Sequence, residues 1–187
     1  MRRWAAIVLL SVAGCGRSTS SSTAARGESE AEAEAAVSPM DAREAAQWAA
    51  AAAGDPEEWM RLSRLVGCEG LRDRASQPEL RSTAIHAMQY CPDYSELPWL
   101  AELAGEENGA EARAALETID DLAARPRRAT DPEDADELHV GCTALLALAR
   151  TPSRPKERRV LAIRALRMLS ERGCVRLADI PTDLDAK

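Results

Sequence analysis

Lys156-Glu-Arg-Arg159-Val-Leu-Ala162-Ile163-Arg-Ala165-Leu166-Arg-Met-Leu169-Ser-Glu171 is the stretch whose reading decides the fold. Its apolar residues return every three or four positions with arginines between them, the period of a half-buried helix rather than of a strand. Ala162 and Ala165 put two small side chains on the inward face beside Leu166 and Leu169, so a neighbouring helix is able to come close. Gly173 then stops the run. The same grammar occurs twice more. Arg81-Ser-Thr-Ala84-Ile85-His-Ala87-Met88 leads on to Cys91, and Ala112-Arg-Ala-Ala115-Leu116 leads on to Ile119.

Outward from these copies the chain reads as helix after helix. An Ala-rich run, Asp41 to Ala53, ends at Gly54, and Asp55-Pro56-Glu57-Glu58 supplies an N-cap, a first-turn proline and acids for a new helix with Trp59, Leu62, Leu65 and Val66 on its apolar face. Gly67 to Arg74 either prolongs that helix or forms a short one of its own. Ser76-Gln77-Pro78-Glu79 opens Leu80 to Tyr90. Ser95 is placed to cap a helix through Leu97, Trp99, Leu100 and Leu103 that stops at Gly105, and Ala110 to Ala124 follows. Arg125 to Asp136 reads as a long polar connection before the apolar helix Leu138 to Ala149. The chain has no Phe and is dominated by Ala, Leu, Arg and Glu, so the expected class is all-α.

The three copies resemble the second helix of HEAT-type repeats, in which small residues let helices stack and a basic residue stands upstream. Arg81 and Arg159 match that basic position, while the middle copy has Gly109 there. The copies are unevenly spaced, 28 residues from Ala84 to Ala112 and 50 from Ala112 to Ala162. The resemblance covers about residues 56–174. It implies a short right-handed stack of antiparallel helix pairs, a HEAT-like α-solenoid. A compact helical bundle is the alternative, because an Ala-and-Leu pattern serves any helix packing.

At the other end of the chain, Arg2 and Arg3 precede an apolar run from Trp4 to Val12, and small residues lead to a cysteine in Val12-Ala13-Gly14-Cys15. A bilayer span needs about 20 apolar residues, more than this run supplies, and the layout is that of a secretory signal. The quartet resembles the lipobox of bacterial lipoproteins. That resemblance implies cleavage after Gly14, acylation of Cys15, and, with Gly16 rather than an aspartate next, the outer membrane. The expected organisation is therefore a signal peptide at 1–14, a lipidated cysteine with a Ser/Glu/Ala tether at 15–38, and a helical domain at 39–187.

Four further cysteines, Cys68, Cys91, Cys142 and Cys174, make an even set for an oxidising compartment. Three pairings are open by count. Cys142 near the start of one helix and Cys174 just past the end of its antiparallel neighbour would meet across a hairpin, which leaves Cys68 with Cys91. Each bridge is worth on the order of 3 kcal/mol in the chain-entropy account. The competing use of these thiols, a metal site with His86 and His139, lacks a CxxC pair and has only half a ligand set in His139 and Cys142. No metal or cofactor is expected.

Without Arg2 and Arg3 there are 22 basic residues against 31 acidic ones, a balance of −9 that argues against nucleic acid and against direct contact with anionic headgroups. The membrane is then met only through the Cys15 lipid. HExxH, GxSxG and phosphate-cradling glycine loops are absent from the sequence, and neither histidine stands beside a candidate nucleophile. Asp120-Asp121 and Glu106-Glu107 read as solvated helix surface. Arg125, Arg127 and Arg128, followed by Asp131, Glu133, Asp134, Asp136 and Glu137, are helix-end charges by the plainer reading and a partner contact by the sharper one. The function expected is a lipid-anchored, non-catalytic scaffold for a protein partner in the cell envelope. The alternative is an envelope enzyme or enzyme subunit with acidic residues on a concave face.

Overall fold

The structure, a computed structural model, describes residues 40–107, 109–125 and 132–182. The expected signal peptide, Cys15 and the expected tether lie outside these residues. Among the described residues seven α-helices follow one another: α1 (Ala42–Ala51), α2 (Pro56–Arg74), α3 (Pro78–Ala87), α4 (Leu97–Gly105), α5 (Gly109–Ala124), α6 (Pro132–Arg150) and α7 (Lys156–Ser170). Short 3-10 turns extend α3 at Met88–Tyr90 and follow α7 at Leu177–Asp179. The described residues contain no strand, and the all-α class stands.

Helix starts show which local signals hold. The Asp55 carboxylate accepts from the Glu57 N–H at 2.8 Å and caps α2 as its sequence context suggests, and Asp41, read from the sequence as part of the first helix, instead caps it, accepting from the Glu44 N–H at 2.7 Å. The two serines do otherwise. Ser76 donates to the Asp73 carbonyl, which leaves Gln77 at the N-cap of α3, and Ser95 donates to the Asp93 carboxylate, which leaves Glu96 at the N-cap of α4. Neither Gln77 nor Glu96 caps through its side chain. Gly67 answers the open question about α2. With φ +76° it breaks the helical path inside Pro56–Arg74, a conformation open to glycine and strained for other residues. The polar connection after α5 is also shorter than its composition suggests, because α6 already begins at Pro132.

Packing follows the repeat grammar. Ala84, Ala87, Met88 and Cys91, then Ala112, Ala115, Leu116 and Ile119, then Ala162, Ala165, Leu166 and Leu169 are all fully buried. Within the chain α2 packs on α3, α4 on α5 and α6 on α7; α5 also packs between α3 and α7, and α4 lies along α6. The α4–α6 contact is close because Gly141 faces Leu97, where a Cβ would stand 2.5 Å from Leu97 Cγ. Helix α1 covers the start of the series, seating Trp48 in the core and tying Glu44 to Arg74 at 3.0 Å in a largely buried ion pair that also receives the Trp48 indole N–H. Burying these apolar side chains, at about 1.5–3 kcal/mol for each large one, is the main stabilising term.

Candidate functional site

Arginines hold the helix pairs together by reaching carbonyls that helix ends leave unpaired. Arg81 Nε donates to the Ala75 carbonyl at 2.8 Å, tying the start of α3 to the end of α2, and Arg159 Nε donates to the Ala149 carbonyl at 3.0 Å, tying α7 to α6. Gly109, at the matching place in α5, has no side chain to do this. The carbonyls of Glu106 and Glu107 after α4 are instead taken by Arg158 of α7, at 2.7 and 3.5 Å. The same two outer pairs carry the disulfides. Cys68–Cys91 and Cys142–Cys174 are at bonding distance with Cα separations of 5.8 and 6.0 Å, and each joins the first helix of a pair to the turn beyond the second. Cys68 stands seven residues ahead of Ala75, and Cys142 seven ahead of Ala149. Clamp and staple thus recur together in α2–α3 and α6–α7.

Arg125 belongs to a further set of such contacts. It donates to the Gln89 carbonyl and side-chain oxygen at 3.0 and 2.9 Å and lies over the Tyr90 ring at 4.1 Å, joining the end of α5 to the end of α3. Arg172, after α7, donates in turn to the carbonyls of Ala123 and Arg125 at 3.2 and 2.8 Å. Arg127 and Arg128 lie outside the described residues. Cys68, Cys91, Cys142 and Cys174 are in disulfides, and among the described residues no group of three or more His, Cys, Asp or Glu side chains is placed to hold a metal ion.

The outward side of α5 and α7 forms a cleft of about 760 Å³ lined by Gly109, Arg113, Glu117, Pro155, Lys156, Glu157, Arg158, Val160 and Leu161. Val160 and Leu161 give it an apolar floor, and Val160 is 36% exposed. The rim is charged with both signs. Arg113 pairs with Glu117 at 2.8 Å; outside the cleft lining, Arg164 of α7 pairs with Asp120 of α5 at 3.0 Å. On neighbouring α3, His86 stacks on Trp59 with ring centroids 4.8 Å apart. Burial lowers its pKa, and the nearby Glu117 and Asp121 only partly offset that, which favours the neutral imidazole. Such a surface has the means to bind a chain segment with an apolar side chain between charges.

No family model, curated protein or solved structure matches this chain significantly.

Two carboxyl groups depart from what their sequence context suggests. Asp120 is not solvated surface: its side chain is only 15% exposed, its Oδ1 is buried without a hydrogen bond, and burial raises its pKa against the pull of Arg164. Glu96 goes further, with a side chain 5% exposed and a buried Oε2 that accepts no hydrogen bond. Among the described residues its neighbouring cation is Arg72, whose Nε stands 3.9 Å away. Burial pushes the Glu96 pKa up to about 7, and the like charges of Glu137, Asp93 and Asp73 add to the effect while Arg72 opposes it. A glutamate between Ser95 and Leu97 looks like any first-turn acid in the sequence, so nothing local distinguishes it.

Proposed function

We propose that this chain is a lipid-anchored, non-catalytic scaffold of the cell envelope, held by acylated Cys15 and presenting a short HEAT-like right-handed stack of helix pairs to a protein partner. The observation that carries the reading is the recurrence of the arginine clamp and disulfide in α2–α3 and α6–α7, with α3, α5 and α7 side by side between them. Repeated pairs that bury their faces against one another make extended binding surfaces. The cleft between α5 and α7 offers such a surface: an apolar strip for an anchoring side chain and a rim of both charges for orientation. The anchor rests on the sequence alone, on Arg2, Arg3, the apolar run and Val12 to Cys15. Two or more acyl chains would hold such a protein stably, which one does not. By the lipobox resemblance, with Gly16 after the cysteine, the outer membrane is its place.

Cross-linking in intact cells tests both halves. The unmodified chain is compared with a Cys15→Ser form and with a Val160→Asp form that places a charge on the cleft floor. The expected result is one envelope protein captured in constant proportion, lost with Val160→Asp, and lost or redistributed together with membrane attachment in Cys15→Ser. A capture pattern unchanged by Val160→Asp would remove the cleft from the reading. Membrane attachment unchanged by Cys15→Ser would remove the anchor.

A further inference from the structure

Glu96 occupies the junction where the chain passes from the first helix pair into the second. An acid at an N-cap ordinarily turns its carboxylate onto the free N–H groups of the first turn, where the helix dipole also favours negative charge. Glu96 does not: its side chain makes no cap hydrogen bond, Pro98 removes one of the available donors, and the carboxyl is buried with Oε2 unbonded. The groups that face it are Arg72 and Asp73 of α2, Asp93 of the connection before α4, and Glu137 of α6. Three of these four are acids, and Arg72 is itself 53% exposed, so much of its charge is screened by water. A neutral carboxyl suits this setting. A carboxylate has a better alternative within reach, because turning outward would give it water and the α4 N-terminus together.

We propose that the Glu96 carboxyl is a proton-operated latch, holding the start of α4 against α2 and α6 while protonated and releasing it when ionised. The motion is local. It frees the segment from Asp93 to about Leu100 while the two disulfides keep the flanking pairs closed, since Cys91 is bridged to Cys68 and Cys142 to Cys174. Proton release therefore loosens the start of α4 at the junction between the first pair and the second, while the two disulfide-bridged pairs stay closed. With the buried carboxyl titrating at about 7 and the released one at its ordinary 4.5, linkage makes the opening equilibrium about tenfold more favourable at pH 8 than at pH 6.

Hydrogen exchange of the full oxidised chain, followed on a peptide spanning residues 93–101 and corrected for intrinsic rates, tests the latch. Protection of that peptide is expected to fall about tenfold from pH 6 to pH 8, with peptides from α7 unchanged. Glu96→Gln should abolish the response. Glu137→Gln should move its midpoint to lower pH by removing a like charge, and Arg72→Gln should move it to higher pH. Protection that does not vary with pH, a response that survives Glu96→Gln, or a midpoint indifferent to both Arg72→Gln and Glu137→Gln would each overturn the proposal.

Discussion

Replacing Gly141 by alanine sets two physical effects of opposite sign against each other. Gly141 lies inside α6, where helix propensity alone favours Ala by about 1 kcal/mol. The added Cβ would stand 2.5 Å from Leu97 Cγ, 2.9 Å from its Cδ2 and 3.1 Å from its backbone carbonyl carbon. Leu97 is fully buried, so a new rotamer would have to find room in a filled core, and no rotamer relieves the backbone contact. Helix α4 must shift. Overpacking of this kind costs about 1–3 kcal/mol, and net of the propensity gain we expect Gly141→Ala to destabilise by up to about 2 kcal/mol. Gly105→Ala, at the end of α4 with nothing within 4 Å of the new Cβ, is the control and should gain up to about 1 kcal/mol. Urea unfolding of the oxidised protein reads both as midpoint shifts of opposite sign with unchanged slope. A Gly141→Ala protein that unfolds at the same or higher urea than the parent would refute the packing argument.

Removing either disulfide by paired Cys→Ser substitution should cost about 3–4 kcal/mol, and the two costs should be nearly equal because loops of 23 and 32 residues differ little on a logarithmic scale; denaturant titration measures both. Glu44→Ala leaves Arg74, 9% exposed, without its carboxylate, and should lower stability by about 2–3 kcal/mol while Glu44→Ala with Arg74→Met recovers most of the loss. The Glu96 pKa is raised on folding, so the folded state binds the proton more tightly and this group's contribution falls as pH rises from 4.5 through about 7. Unfolding free energies measured from pH 5 to pH 8 should decline by up to about 2.5 kcal/mol on this account, and Glu96→Gln should flatten that slope.

The parts of this fold that could be read from the sequence are those set by spacing alone. Twelve residues chosen by the interval between small and large apolar side chains are all fully buried, because a helical period determines the inward face before any neighbour is known. Asp55 caps for a similar reason, as its partner lies two residues away. Polar side chains with distant partners were not legible. Arg125 reads as an exposed charge until α3 supplies Gln89 and Tyr90, thirty-odd residues away. Asp120 becomes buried only when α7 brings Arg164. Glu96 was hidden by Ser95, the better capping residue on paper, which Asp93 takes for a local turn instead.

The contacts of Arg125, Arg158 and Arg172 share a direction: each reaches back to carbonyls of an earlier helix, from α5 to the end of α3, from α7 to the end of α4, and from beyond α7 to the end of α5. That gives the series a polarity in time. A chain delivered N-terminus first, as in synthesis, has its receiving carbonyls in place before the arginine that will grip them arrives. Each newcomer therefore docks onto a finished surface rather than waiting for one. Cutting the chain short would strip the grip from the last helix that remains, so truncation from the C-terminal end should loosen the pair before the cut as well as remove the pair beyond it.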